Sequence, residues 1–292
     1  MSVRKANFLL VLVTVAWGAS YLFTKTAVKE LDPFTLIAYR FLLAFAITAV
    51  VFWKSIKQTT LQTILASSLL GLIMGAVCIL FGFAMQVTEA SVAGFLIATT
   101  VIIVPFLMMI ITRKLPPFQV VVGGIITLVG LALFSLDGTF TISFGMILCL
   151  ITAFLYAVHI ILNNYYTKKM DSMQIGVYQL FFVGFFSLIG AIIFESFHLP
   201  ATPIGWGSLI MLALVCSAFA IIIQSIAQKH TTAVSTGFIF SLEPIFSAIF
   251  AFTFLNERMT LQECIGAIFI FIGVLAANYT PKKLRKMQQI AQ

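Results

Sequence analysis

Runs of about twenty apolar residues follow one another along this chain, ten in all, at approximately 6–26, 34–53, 62–84, 90–111, 117–135, 143–163, 173–194, 206–227, 232–254 and 261–279. At about 1.5 Å of helical rise per residue, each run is long enough to cross a hydrocarbon core about 30 Å thick. Inside such a core every backbone N–H and C=O must be satisfied within the protein, so continuous apolar runs of this length are read as helices. The connectors are short and carry turn residues, such as Asp32-Pro33, Pro116-Pro117, Asp137-Gly138 and the HLPATP run at 198–203, and none has room for a soluble domain. Only 9% of the residues are charged and 61% are hydrophobic, whereas a soluble globule carries about 25% charge. The sequence therefore predicts an all-α integral membrane protein with ten transmembrane helices.

The net charge of +8 does not point to nucleic acid, because the cations sit in short clusters between apolar runs. With the N-terminus cytoplasmic, thirteen of the Lys and Arg residues fall on the cytoplasmic side, and only Lys29 and Arg258 fall on the other. The remaining two, Lys25 and Arg40, lie within or at the ends of spans. This bias predicts a multi-pass protein of the cell membrane with both termini inside. Cys78, Cys149, Cys216 and Cys264 lie within apolar runs without a CxxC pair, which indicates neither a disulfide framework nor a metal site.

The two halves of the chain resemble each other. At an offset of 139, Trp17 falls on Tyr156, Lys25 on Asn164, Tyr39 on Tyr178 and Arg40 on Gln179. The offset then becomes 143 and matches Thr88 with Thr231, Ala90 with Ala233, Gly94 with Gly237, Phe95 with Phe238, Gln119 with Gln262, Gly123 with Gly266 and Gly130 with Gly273. Five spans per half is an odd number, so the second half inserts upside down. The expected units are residues 1–136 and 137–280, two inverted five-helix repeats, followed by a basic tail at 281–292. Such repeats place a substrate site where they meet, near the midplane.

Within the ninth run, Glu243 is the only charge of residues 231–255 and precedes Pro244. It lies about 18 Å from either end of the run, close to the bilayer midplane. An ionisable group at that depth is costly unless it faces protein or water, which marks Glu243 as a substrate or proton site. The alternative is a neutral carboxyl that only steadies a proline kink.

The motifs AWGASYLFTK at 16–25, DPFTLIAYRF at 32–41, AMQVTEASVAGF at 84–95, VP with an RK pair at 104–114, LYAVHIILNNYY at 155–166, YQL at 178–180, and AQKHTTAVSTGFIFSLEPIFSAIFAFTFLNERMT at 227–260 together resemble the EamA-type permeases of the drug/metabolite transporter superfamily. The resemblance covers nearly all of residues 7–279. It implies transport of small organic solutes, often amino acids or other metabolites, and frequently export. In one departure, Pro105 lies one turn from the repeat equivalent of Pro244, so the halves are expected to contribute unequally to the pore.

Further candidates follow from depth and spacing. Thr100 is the repeat equivalent of Glu243, and with Thr99 it is a candidate cavity residue, against the alternative of bonding its own backbone. Gln224 and Gln228 share a face one turn apart; Gln228 lies near the surface, which makes Gln224 the better substrate contact. Trp17 sits deeper than the interfacial belt and is expected to line the cavity with Tyr156, or else to pack in the core. Arg40 lies about 9 Å below the outer surface, where it either captures an anionic group or pairs with Glu89 or Asp32. Lys25 likewise has two readings, a charge or gating residue or a side chain that snorkels to the outer interface, and His159 either relays protons or makes a polar contact. Pro105 and Pro244 are expected helix breaks. Gly123, Gly130, Gly266 and Gly273 serve close helix approach.

No Walker A loop, HExxH, GxSxG or paired carboxylates occur, so the sequence gives no sign of an enzyme and calls for no cofactor or metal. The reading is a secondary carrier working by alternating access, with a small-molecule substrate, a lipid bilayer around it, and protons or a counter-substrate as coupling partners. Export of amino acids or related compounds is the first expectation, uptake or exchange the second, and a receptor or scaffold the alternative of another class. A homodimer is compatible with the sequence.

Overall fold

The computed structural model describes residues 1–88, 90–135, 143–255 and 261–278, and all its regular elements are helical. Helix α1 is Val3–Ala27, α2 Pro33–Val51 and α3 Leu61–Val87. Helix α4 runs in two pieces, Ala90–Ala98 and Thr100–Thr112, and α5 is Phe118–Ser135. The second half continues with α6 at Phe144–Lys169, α7 at Ser172–Phe194 and α8 at Pro203–Gln228. Helix α9 is again in two pieces, Ala233–Phe240 and Glu243–Leu255, and α10 is Leu261–Asn278. Among the described residues, seven helices are long and apolar enough to cross a membrane. Three further apolar stretches, Leu96–Thr112, Phe118–Leu133 and Cys264–Asn278, are shorter. The basic tail at 281–292 and Glu89 lie outside the described residues.

Helix starts are marked by polar caps that take up the orphan N–H groups of the first turn. Thr60, Ser143, Thr202 and Thr232 each accept from the N–H three residues on, and Asp171 accepts from Met173 and Gln174 at 2.9 Å. Helix α2 is capped from a distance. Asp32 makes no cap bond with its side chain, and Glu195 instead accepts the N–H groups of Phe34 and Thr35 at 2.9 and 2.7 Å and the Thr35 hydroxyl at 2.9 Å. A carboxylate at the positive end of a helix dipole is favourable, and this one ties α7 to α2 across the two halves.

Helix α2 packs on α7, and α5 on α10, each against its counterpart in the other half. The remaining large contacts come in corresponding pairs: α3 with α6 and α8 with α1, α3 with α7 and α8 with α2, α1 with α9 and α6 with α4. The α5–α10 seam is drawn tight by the expected glycines. A Cβ on Gly130 would stand 2.6 Å from the Ile270 nitrogen and 2.8 Å from the Gly266 oxygen, and one on Gly123 would stand 2.7 Å from the Gly273 oxygen.

One face of the bundle carries the α1–α2 and α7–α8 connections and is called the far face here; the other, carrying the N-terminus and the α6–α7 turn, is the terminal face. On the far face Glu30 accepts the N–H groups of Ala201 and Thr202 at 2.9 and 3.1 Å, together with the Thr202 hydroxyl. His198 lies between two carbonyl oxygens, with Nδ1 2.7 Å from Ser196 and Nε2 2.7 Å from Glu30. Both partners are acceptors, and only an imidazolium can donate to both at once, so the setting favours the protonated ring. The carbonyls of Ser196 and Glu30 raise the His198 pKa above its ordinary 6.5, and hydrogen bonds from Thr202 lower that of Glu30 below 4.5.

The His198 contribution to this clasp is full below its ordinary pKa and is lost as pH rises through the raised value. That of Glu30 is full above its ordinary pKa and is lost as pH falls through the lowered one. The protection of residues 195–202 against hydrogen exchange, taken relative to the intrinsic rate at each pH, is therefore expected to be greatest between about pH 5 and 6.5, with His198→Ala removing the alkaline limb. A flat profile in the parent protein would contradict the clasp.

Candidate functional site

The two interrupted helices meet their breaks at equivalent positions. In α9 the turn tightens at Ser241 and Leu242, where the Leu242 N–H reaches the Ile239 carbonyl at 3.1 Å, and the second piece opens at Glu243. Pro244 then occupies the first turn of that piece, where its missing N–H would have had no helical partner in any case. It starts a helix rather than kinking one. In α4 the break falls at Thr99, the repeat equivalent of Leu242 at offset 143. Pro105, expected as a break, lies buried inside the piece Thr100–Thr112, and the helix runs through it. The hydroxyls of Thr99 and Thr100 bond the carbonyls of Leu96 and Ile97, so both threonines satisfy their own backbone.

Between these breaks and α1, α2, α3, α6 and α8 lies a cavity of about 80 Å³, lined by Trp17, Tyr21, Arg40, Tyr156 and Glu243 among apolar neighbours. A single water needs about 10–15 Å³ by this measure, so the cavity holds several waters or a small solute. A neighbouring void of about 10 Å³ is shared by Glu243, Pro244, Thr100, Tyr21 and Tyr156. Thr100 and Glu243 thus meet, but in a space for one water at most. Most of the cavity-lining residues belong to the far-face halves of their helices, with Glu243 near the middle.

Most polar groups of the cavity have partners, and the Tyr156 hydroxyl has none among the described residues. The Tyr21 hydroxyl lies within side-chain hydrogen-bonding reach of the Glu243 carboxyl. Trp17 packs edge-on against its repeat partner Tyr156 at 5.9 Å and against Phe240 at 4.9 Å, and Tyr156 stacks on Phe240 at 5.9 Å. A π-helical turn at Leu214–Phe219 widens α8 and leaves the Cys216 carbonyl open to outside donors. That oxygen accepts from Trp17 Nε1 at 3.0 Å and from Arg40 at 3.1 Å. Arg40 also donates through Nε to the Ser217 hydroxyl.

Arg40 is buried, and its hydrogen-bond partners among the described residues are neutral. Pairing with Asp32 is not observed, and Glu89 lies outside the described residues. Part of the guanidinium fork therefore remains for a solute.

The other candidates lie elsewhere. Lys25 is exposed in the last turn of α1 and does not line the cavity. Gln224 and His159 are fully buried, toward the terminal face from the lining. Gln228, expected near the surface, is buried as well, and its side chain meets Asn163 and the Ile160 carbonyl. It belongs to a network in which Asn164 donates to the carbonyls of Gln228 at 2.6 Å and Thr231 at 3.0 Å, and Thr231 donates to Asn7 at 2.7 Å. This network joins α1, α6 and α8 across the terminal face.

Tyr21, Cys216, Ser217 and Gln179 were not singled out by sequence. The match of Gln179 with Arg40 was the one signal available for any of them.

The EamA-like transporter family profile matches the chain twice, at residues 4–136 and 143–279. An uncharacterized transporter of Archaeoglobus fulgidus is 32% identical over 281 residues, covering 92% of this chain and 96% of the relative. The uncharacterized transporter YyaM of Bacillus subtilis is 24% identical, with 89% of each chain covered. A solved crystal structure superposes with a TM-score of 0.79 over 94% of this chain and 96% of its own, at 15% identity, which speaks for a shared fold. On the profile matches and the Archaeoglobus relative, the chain belongs to the EamA-like transporter family.

Proposed function

We propose that this transporter is a secondary carrier of small zwitterionic solutes of amino-acid type, working by alternating access across the cell membrane. The observation that carries the reading is the cavity itself, which the Arg40 guanidinium and the Glu243 carboxyl both line without pairing with each other. A carboxylate fits the guanidinium fork, an ammonium fits the Glu243 carboxyl, and Trp17, Tyr21 and Tyr156 give an aromatic wall for the rest.

Corresponding helix contacts between the halves and equivalent breaks in α4 and α9 support ten spans arranged as two inverted repeats, with units at 1–136 and 137–280. The thirteen-to-two cation bias supports a cytoplasmic terminal face. The Asn163, Asn164 and Gln228 network then closes the cytoplasmic side while the cavity occupies the outer half. Export is the direction that the resemblance favours, and the site itself is neutral on this point.

Uptake and efflux of labelled solutes in proteoliposomes, with and without a pH gradient, test the reading. Zwitterions are expected to move at least tenfold faster than their decarboxylated or deaminated analogues. Equal rates for all three, or no movement through folded protein, would overturn it.

A further inference from the structure

Beyond the cavity, toward the terminal face, α6, α7 and α8 enclose polar side chains that are buried without partners. Both ring nitrogens of His159, both amide atoms of Gln179 and of Gln224, and the Ser225 hydroxyl are in this state. These four residues are 0% exposed. The His159 ring stacks on Tyr156 with centroids 6.3 Å apart, and Gln179 neighbours it from α7 without closing a hydrogen bond. Gln224 stands one turn from Gln228, whose side chain meets α6 at Ile160 and Asn163, so the same face aims Gln224 at the turn holding Tyr156 and His159.

An unpaired buried polar group costs about 1–3 kcal/mol, and a helix interface needing only packing would be served better by leucine or methionine. Seven such atoms in one layer mark a place that receives a hydrogen-bonding guest.

The halves of the chain independently say which guest conformation this is. At the offset of 139, Trp17 matches Tyr156, Ser20 matches His159 and Arg40 matches Gln179. Trp17, Ser20 and Arg40 all line the open cavity. Trp17 and Tyr156 meet at the boundary, both lining the cavity, while the other two matches map the Ser20 and Arg40 side of the cavity onto the closed layer at His159 and Gln179.

We propose that His159, Gln179 and Gln224 form a second solute station, closed in this conformation and opened when the carrier faces the terminal side. The proposal rests on the alternating-access reading above. The chemistry of the station differs from that of the cavity. Two amides and a histidine offer donors and acceptors, and there is no guanidinium to hold a carboxylate. The station takes a neutral hydrogen-bonding group, delivered either by water or by the hydroxyl or amide end of a solute whose charged end stays with Arg40 and Glu243.

Two measurements in proteoliposomes test this. Ser225→Cys, with the native cysteines removed, is expected to react with a small water-soluble methanethiosulfonate applied from the terminal side. The reaction should accelerate at least tenfold when Asn163→Leu weakens the terminal network. Protection by L-serine or L-glutamine but not by L-alanine would assign the guest to the solute, and labelling without selective protection would assign it to water.

In the second, the double variant Gln179→Met and Gln224→Met removes the orphan amides at similar volume, so thermal stability should be equal or higher while transport slows at least tenfold. An inert Ser225→Cys, against a reactive Cys78 in a separate protein that keeps only that native cysteine, would sink the station and leave the carrier reading standing. If both were inert, the carrier reading itself would fail. Lower stability of the double variant would mean the amides serve the fold and would likewise overturn the proposal.

Discussion

Glu243→Gln is expected to lower transport by about 10- to 100-fold without lowering thermal stability. The amide fills the same volume and can still accept from the Tyr21 hydroxyl, which lies within hydrogen-bonding reach of the carboxyl. What it removes is the ionisable group facing the cavity. A hydrogen bond to a charged partner contributes about 1.5–3 kcal/mol, and about 1.4 kcal/mol is a tenfold change, which sets the expected range. Pro244→Ala is the companion. Because Pro244 stands in the first turn of a helix piece, alanine restores an N–H with no helical acceptor, and activity should change less than threefold. Wild-type rates in Glu243→Gln, with a large loss in Pro244→Ala, would show that shape rather than ionisation matters here.

Arg40→Met is expected to raise the KM for carboxylate-bearing solutes by about 10- to 100-fold, and to change the KM for their amidated analogues less than threefold. The comparison between solutes is needed because Arg40 also ties α2 to the π-turn of α8 through Ser217 and Cys216. Methionine leaves the Ser217 hydroxyl without this donor, while the Cys216 carbonyl keeps Trp17 Nε1, at a cost of about 1–3 kcal/mol of stability that falls on every solute alike. Arg40→Lys keeps the charge but not the planar fork and should fall between parent and methionine for carboxylates. Equal losses for both classes of solute in Arg40→Met would reduce the residue to its structural ties.

The helices were legible in the sequence because length and hydropathy report directly on crossing a hydrocarbon layer. The meeting of Trp17 with Tyr156 and of Thr100 with Glu243 was legible through the repeat offset, which pairs residues at similar depth in the two halves of the chain. Direction around each helix was not. In a soluble helix the buried face is apolar and the other polar, but here lipid-facing Phe8 and core-facing Leu10 are equally apolar, the first exposed and the second buried.

That is why Tyr21 and Cys216 gave no signal, and why Gln224 was placed on the cavity when it faces the layer beyond it. The interruption of α4 shows a different limit. Pro105 was the visible breaker, yet a proline within a membrane helix is accommodated by neighbouring groups, and the break falls at Thr99 where no breaker stands. The π-turn at Leu214–Phe219 likewise rests on a few backbone bonds that small residues such as Cys216, Ser217 and Ala218 tolerate without announcing.

Cys78 offers the most direct measurement of the central claim, that one mid-membrane cavity is exposed to each side in turn. It lines the cavity as a native free thiol, so no substitution is needed at the position probed once the other three cysteines are replaced. A membrane-impermeant thiol reagent is applied to oriented proteoliposomes from one side and then the other. The account predicts labelling of Cys78 from both sides, slowed from both by the transported solute, with Asn163→Leu shifting the balance toward the terminal side. Labelling from one side only, under every condition of solute and gradient, would contradict alternating access.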